Sequence, residues 1–533
     1  MVKFRKLTKA GLLGQIQDNF KKIIASDASS KSIVLSNDLE INLQRIKVIL
    51  HKCSDVVYRD FIFAQNEQIR LALIYIDGLA DSGQISNQIM RALALEVPMA
   101  VPGQNITKSE ALEFIKQRGL CISQFKETEQ MQDIIHAILS GDTILLVDGH
   151  ATAIINNSRG KVQSLSNSEG KTMVRGPREL FVENLRINTA LIRRRIKSPN
   201  LKIETFKVGN VSDTDIALVY IEGIVNEKLV AEVKSRLEKI KIDAVLESGY
   251  IEELIEDNPW SLFPTVNHTE KPDKLAAMLL EGRVAILLDG TPVVLTVPNL
   301  FVEYFQTPED YYQRFLFTPA ARFIRFISMI ITLILPSLYI AVVSFHHELL
   351  PTPLLLSFAA HREVVPFPVF LEVFIMEVVF EVLREAGNRL PQLIGQIVSI
   401  GAALVLGAMA VQAGFMATST VIVVIFTGIA SFVFAYSASI AFRLLRFGLL
   451  VLAGTLGLFG LISGVAVIAI HMCTLRSFGV PYLSPIAPTT GADLADVIYR
   501  APWWAMFSRP RLIAGQNRKR QEQGLKPSPQ KNK

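Results

Sequence analysis

Three glutamates set in an otherwise apolar stretch are the residues best placed to do chemistry in this chain. Residues 364–383 read VVPFPVFLEVFIMEVVFEVL and carry Glu372, Glu377 and Glu381. On a helix, Glu377, Glu381 and the following Glu385 share one face because they are spaced by four, and Glu372 lies roughly beside it. An ionised carboxylate at bilayer depth costs about 3 kcal/mol on insertion scales, so lipid alone cannot accommodate three. Such a helix either lines or flanks water, where acidic side chains serve a cation path, or lies at the interface with its glutamates on Arg384, Arg389 or headgroups. Both readings stay open from the residues alone. Pro366 and Pro368 just ahead favour a broken or re-entrant entry.

Other chemistry is excluded more easily. His347-Glu348 could open an H-E-x-x-H zinc motif, but Pro351 stands where the second histidine belongs, so His346, His347, Glu348, His361, Arg362 and Glu363 read as a polar loop at a membrane edge. Asp148-Gly149 and Asp289-Gly290 end β-rich runs and read as turn formers; no phosphate loop, dinucleotide loop or calcium loop accompanies them. Cys53, Cys121 and Cys473 are far apart and form no CxxC pair, which suggests neither a disulfide framework nor zinc. With no nucleophile–base pair, metal set or cofactor motif, no catalytic residue, metal or cofactor is expected.

The elements that must position the glutamates lie in two contrasting halves. Of 533 residues, half are hydrophobic, and the net charge is only +6. Residues 1–320 mix charge with alternation, whereas 323–471 hold most of the long uncharged runs. The N-terminus is positive but lacks an apolar core of signal-peptide length, so the first half is expected to face the cytoplasm. Uncharged runs at 326–343, 393–411, 421–442 and 447–470 read as membrane spans. The fourth carries Gly448, Gly454, Gly457, Gly460 and Gly464, and small residues of this kind let neighbouring backbones approach, with a gating hinge as the rival reading. From Arg509 onward eight Lys or Arg face one acid, Glu522, which suits a cytoplasmic tail near anionic lipid and not a nucleic-acid reader. Counting 364–383 as a full span gives five crossings and puts that tail outside; a re-entrant segment leaves Arg384 and Arg389 on the wrong side.

The first half repeats itself. Ala72-Leu-Ile-Tyr-Ile-Asp77-Gly78 matches Ala217-Leu-Val-Tyr-Ile-Glu222-Gly223, and Gly141 to Gly149 matches Gly282 to Gly290. The expected fold is therefore an α/β soluble N-terminal half of two related α/β subdomains, followed by an α-helical transmembrane domain. Its boundaries are an extension over 1–49, subdomains over 50–173 and 200–305, a basic connector over 174–199, a helical domain over 306–475 with four to five membrane segments, and the basic tail over 476–533. Within the connector, Arg193, Arg194 and Arg195 either pair with acids on the two subdomains or form a docking surface for another subunit or lipid.

At this point the residues become recognisable. Leu335-Pro336-Ser337-Leu338-Tyr339 and the stretch from FHHELLPTPLLLSFAAHREVVPFPVFLEVF to QIVSIGAALVLG closely resemble the A subunit of GerA-type spore germinant receptors, as do Gly176-Pro177-Arg178-Glu179, Asn188 and Arg193-Arg194-Arg195. The similarity runs from about residue 50 to about 505. The resemblance implies an inner spore membrane protein that acts with a transporter-like B subunit and a lipoprotein C subunit, and that oligomerises into a nutrient-gated cation channel. Glu372, Glu377 and Glu381 would then line the pore or its mouth. Two other functions remain: an accessory germination channel that senses no nutrient, and a membrane scaffold that conducts nothing.

Overall fold

Residues 36–49 and 182–195 carry the same folding instructions. The first form helix α1 (Leu39–Ile49), capped by Asp38, whose carboxylate accepts the Glu40 N–H. Asn42 then returns to Ser36, accepting its N–H at 2.9 Å and donating to its carbonyl at 2.6 Å. Helix α3 (Leu185–Arg195) is capped by Asn184, and Asn188 makes the same double bond to Val182 at 2.8 and 2.6 Å. Each cap satisfies amide groups that a helix start leaves free. Both helices therefore open a repeat. The expected extension over 1–49 and connector over 174–199 are corrected accordingly, because each supplies the first helix of its subdomain.

The computed structural model describes residues 33–528 apart from 63–68, 94–107, 109, 117–124, 161–174, 390–404, 406, 435, 492 and 498. Cys121 and most of the expected span at 393–411, with Gly395 and Gly401, lie outside the described residues. The chain forms two units, the first drawn from the described parts of Met1–Ser166, Glu179–Leu254 and His268–Thr296, the second from Asn167–Arg178, Ile255–Asn267 and Val297–Lys533.

In the first unit, α1 leads into β1 (Val56–Ile62), β2 (Arg70–Ile76), β3 (Phe125–Thr128), α2 (Met131–Ser140), β4 (Thr143–Val147) and β5 (Ala153–Asn156). The second repeat runs through α3, β6 (Leu201–Val208), β7 (Thr214–Ile221), α4 (Glu227–Glu238), β8 (Asn267–Thr269), α5 (Pro272–Glu281), β9 (Val284–Leu288) and β10 (Val294–Val297). The sheet orders are β1-β2-β4-β5-β3 and β6-β7-β9-β10-β8, which are the same order in equivalent strands. The β2–β4 and β7–β9 pairs are antiparallel, with Leu71 opposite Val147 and Ile216 opposite Leu288. Strands β4 and β9 are buried along their whole length, as continuous apolar runs require. Helices α2 and α5 end at Gly141 and Gly282 in the left-handed region, φ 93° and 101°, where a side chain would be strained. The Asp-Gly turns do more than reverse the chain. Asp289 accepts the Leu185 N–H at 2.9 Å, at the start of α3, and Asp148 bonds to the Leu39 backbone in the same way.

The second unit is helical. Helix α6 (Thr318–Ser344) is followed by α7 (Thr352–Arg362), α8 (Val369–Arg389), α9 (Thr418–Ala430) and α10 (Tyr436–Thr474). The expected span at 421–442 is thus two helices, parted where Ser439 donates to the Ser431 carbonyl at 2.9 Å. The residues His361 and Arg362, expected in a loop, close α7.

Helix α10 folds back on itself. Gly457 has φ 61° and ψ −140°, outside helical space. Phe442 and His471 both pack on Phe263, with ring centroids 5.5 and 6.2 Å away. In a straight helix they would stand about 43 Å apart. A Cβ on Gly460 would meet the Leu452 carbonyl, and one on Gly464 the Leu449 side chain. These pairs all centre on the same point, so α10 is an antiparallel hairpin with its turn at Gly457. The single span expected at 447–470 is corrected to parts of two arms. The arms are about 31 and 25 Å long, close to the thickness of a hydrocarbon core.

The hairpin returns the chain to the end of the unit where α6 begins. Phe301, Phe305, Phe326, Phe442 and Tyr482 pack together there, while Phe345 and His346, at the far end of α6, lie against Gly457. The expected tail from 476 is folded at this end over its described residues. Arg322 bonds to Asp310 at 3.1 Å and to Asp496 at 2.9 Å, Arg500 donates to the Asp310 carbonyl at 2.8 Å, and Ile513 packs with Leu300 and Val302.

Candidate functional site

Helix α8 begins directly after Pro368, whose carbonyl accepts the Glu372 N–H at 3.1 Å. No proline or glycine interrupts it before Gly387, so the spacing of four brings Glu377, Glu381 and Glu385 into one row. Hairpin arm and α8 run antiparallel: Phe370 packs on Gly454, Glu377 faces Arg446, and Glu381 faces Arg443. Helix α9 runs parallel to α8, with Ala417 beside Glu372, Phe380 against Gly428 and Arg384 on Ser431.

The three glutamates therefore occupy three different environments. Glu372 is wholly buried and accepts the N–H of Ala417, the N-cap residue of α9. A carboxylate at that position meets the positive end of the helix dipole. Glu377 is equally buried and pairs with Arg446 at 2.7 Å. Glu381 gathers three guanidinium groups, with Arg443 at 3.1 Å on one oxygen, Arg384 at 3.2 Å and Arg446 at 3.2 Å. Arg384 also donates to Ser431 Oγ at 2.6 Å and lies over the rings of Phe380 and Phe432. Two carboxylates against three guanidiniums leave the cluster one positive charge in excess if all are ionised.

The expected pore-lining positions differ in exposure. Glu372 and Glu377 are 0% exposed within the single chain, because other helices supply their partners. Glu381 keeps 21% of its side chain exposed and Glu385 62%. What the arrangement can do chemically is hold α8 to the hairpin by charge. In the sequence, Arg443 and Arg446 stand between the uncharged runs 421–442 and 447–470. Their spacing of three, complementary to glutamates spaced by four, was the signal for their role.

The five glycines of that run divide as well, and a Cβ on Gly448 would meet nothing within 4 Å. Gly454 gives Phe370 its place, Gly460 and Gly464 let the hairpin arms close, and Gly457 makes the turn. Among the described residues no group of three or more His, Cys, Asp or Glu is placed to hold a metal.

In the first unit, Arg193 is wholly buried. It makes a two-pronged bond to Asp55 of the first repeat, at 2.8 and 2.9 Å, and donates to the Leu201 carbonyl at 2.8 Å. Burial opposes its charge, but Asp55 outweighs that, and the guanidinium is held above its ordinary pKa. Its expected role in docking is corrected, because the seam between repeats encloses it. Arg195 and Arg194 share Glu179, at 2.8 and 3.5 Å, and Arg194 is the exposed member of the three. Beside the seam, burial lowers the Lys202 pKa and raises that of the Cys53 thiol.

Comparison with known proteins places this architecture. Residues 44–512 match the family described as Bacillus/Clostridium GerA spore germination protein. The chain is 42% identical to Spore germination protein KA of Bacillus subtilis (strain 168), over 94% of this chain and 91% of that protein. It is also 42% identical to the uncharacterized membrane protein YfkQ of the same organism, over 93% and 95%. Spore germination protein GerLA of Bacillus cereus is 38% identical over 91% and 97%. Among solved structures, the N-terminal domain of the A subunit of the Bacillus megaterium spore germinant receptor GerK3 is 36% identical, covering 51% of this chain and 99% of that one with a TM-score of 0.41. By the extent of the family match and the identity of these near-full-length relatives, the chain belongs to the GerA family of spore germination proteins.

Proposed function

We propose that this chain is the A subunit of a nutrient germinant receptor in the inner spore membrane, working with a transporter-like B subunit and a lipoprotein C subunit. Several copies assemble around an axis into a nutrient-gated cation channel whose opening starts germination. The family match over residues 44–512 is the observation that carries this reading. Helix Thr318–Ser344 is long and apolar enough to cross a membrane, and the apolar run Ala438–Thr474 supplies the two arms of the hairpin. On the hairpin, Phe459, Ile462, Val467 and Ile470 are each 64–72% exposed, an apolar surface that lipid accommodates and water does not. With entry and exit at one end of the helical unit, the start of α6 and the C-terminal segment lie on the same side, the spore core. Opening moves α8, and the Glu377–Glu381 cluster with Arg443 and Arg446 holds the closed position.

Potassium release after nutrient addition tests this, in cells expressing the chain with its B and C partners. Wild type is compared with Glu377→Gln at equal membrane abundance. Prompt release that the substitution alters supports a channel held by the cluster. Unaltered release keeps the channel and removes Glu377 from its gating. No release from a verifiably assembled complex rejects the channel in favour of a scaffold.

A further inference from the structure

The second unit presents one large aromatic side chain outward from a fixed loop. Trp260, in Asn258-Pro259-Trp260-Ser261-Leu262-Phe263, is 94% exposed, and Leu262 is 46% exposed. The loop is tied on both sides of the indole. Ser261 N–H bonds to the Asn258 carbonyl at 3.1 Å, Ser261 Oγ lies 3.1 Å from His471 Nε2, and the Phe263 N–H donates to that same Oγ at 3.1 Å. Phe263 itself is 2% exposed and packs edge-on to Phe442. The exposure of Trp260 therefore belongs to a held loop.

Its level along the helices identifies the occupant. His471 stands near the C-terminal end of the second arm of α10, just past Val467 and Ile470, whose side chains are 66% and 64% exposed. The apolar outer surface ends where Trp260 begins. Leu316 and Phe317, 72% and 66% exposed, stand ahead of α6 at the same end of the unit. Exposed Arg476 follows the arm. An indole has an apolar body and one N–H donor, which suits the boundary between acyl chains and headgroups, where tryptophan concentrates.

We propose that Trp260 is a membrane-interface anchor, seated in the headgroup region of the bilayer beside the end of the hairpin. The inference rests on the reading of the helical unit as a membrane domain. It fixes the depth of that unit and pins the loop that reaches α10.

The test is fluorescence of the full chain in vesicles of phosphatidylcholine and phosphatidylglycerol, with and without bromine on the upper acyl carbons. Trp503→Phe and Trp504→Phe together leave Trp260 as the single tryptophan. Should that variant misfold, the difference between wild type and Trp260→Phe isolates the same signal. The expected result is short-wavelength emission that brominated lipid reduces roughly two-fold. Unquenched emission at the wavelength of an indole in water overturns the anchor while the chain remains in the vesicles. Unquenched but short-wavelength emission overturns it in favour of a protein neighbour such as a second copy. Failure of the chain to enter vesicles overturns both the anchor and the membrane reading.

Discussion

Arg193 with Asp55 and Arg446 with Glu377 are both buried arginine–carboxylate pairs, with side chains 0–1% exposed, yet they are built differently. The Arg193 guanidinium makes two bonds to its carboxylate and another to a backbone carbonyl. Arg446 reaches both Glu377 and Glu381 through one nitrogen, and its Nε and Nη1 have no hydrogen-bond partner among the described residues. A buried charge is tolerated when geometry and hydrogen bonds complete it. The first pair is completed by its neighbours and fixes one repeat to the other. The second shares its partners, so a shift of α8 can trade one carboxylate for another. Burial alone does not distinguish a permanent seam from an adjustable one; the number and direction of the bonds do.

The largest effect should come from breaking the completed pair. Asp55→Ala leaves Arg193 charged and enclosed, at a cost of about 3–5 kcal/mol, read as a large loss in the thermal midpoint of the detergent-solubilised chain. Arg193→Met combined with Asp55→Leu should recover most of it. A loss as small as that of a surface pair would refute the seam. Gly457→Ala forces a side chain into strained backbone space and should cost about 1–3 kcal/mol. Gly448→Ala, where an added Cβ meets nothing within 4 Å, should instead stabilise by up to about 1 kcal/mol. Equal effects at the two glycines would remove the hairpin turn from the argument.

Glu372→Ala removes the carboxylate from the start of α9 and should cost about 1 kcal/mol, whereas a pore-lining role would change conductance with no loss of stability. Smallest is the exposed end of the comparison, Asp148 with Lys108 at 2.8 Å. Burial raises the Asp148 pKa, but Lys108 outweighs it and holds the carboxyl below its ordinary 3.8. A depressed carboxylate stabilises fully above its unfolded value and loses that contribution as pH falls through the folded one. Asp148→Asn should therefore cost under about 1 kcal/mol at pH 7, and the difference from wild type should vanish in strong acid.

The sequence showed the repeat because β2 and β7 enter their turns with nearly the same letters. It hid α1 as the partner of α3, since the shared signal is only the short Leu-x-Ile-Asn run at 39–42 and 185–188. The carboxylate row on α8 followed from spacing alone. Its partners did not, because Arg443 and Arg446 lie beyond α9, on the next helix. The turn at Gly457 was the least legible feature. It lies in an uncharged run among other glycines of the same appearance, and its positive φ is a property of tertiary packing. The C-terminal segment looked like a tail by charge, yet Asp496 and Arg500 tie it down, and these two residues are too few to alter the composition.

Asp496 gives the order of synthesis a structural meaning. Arg322, at the start of the first long helix, receives that carboxylate from near the other end of the polypeptide. Until the ribosome has made the chain past that point, the first helix stands with an incomplete charge partner at its base. A premature stop before Asp496 should therefore damage assembly of the helical unit as loss of Arg322 itself would.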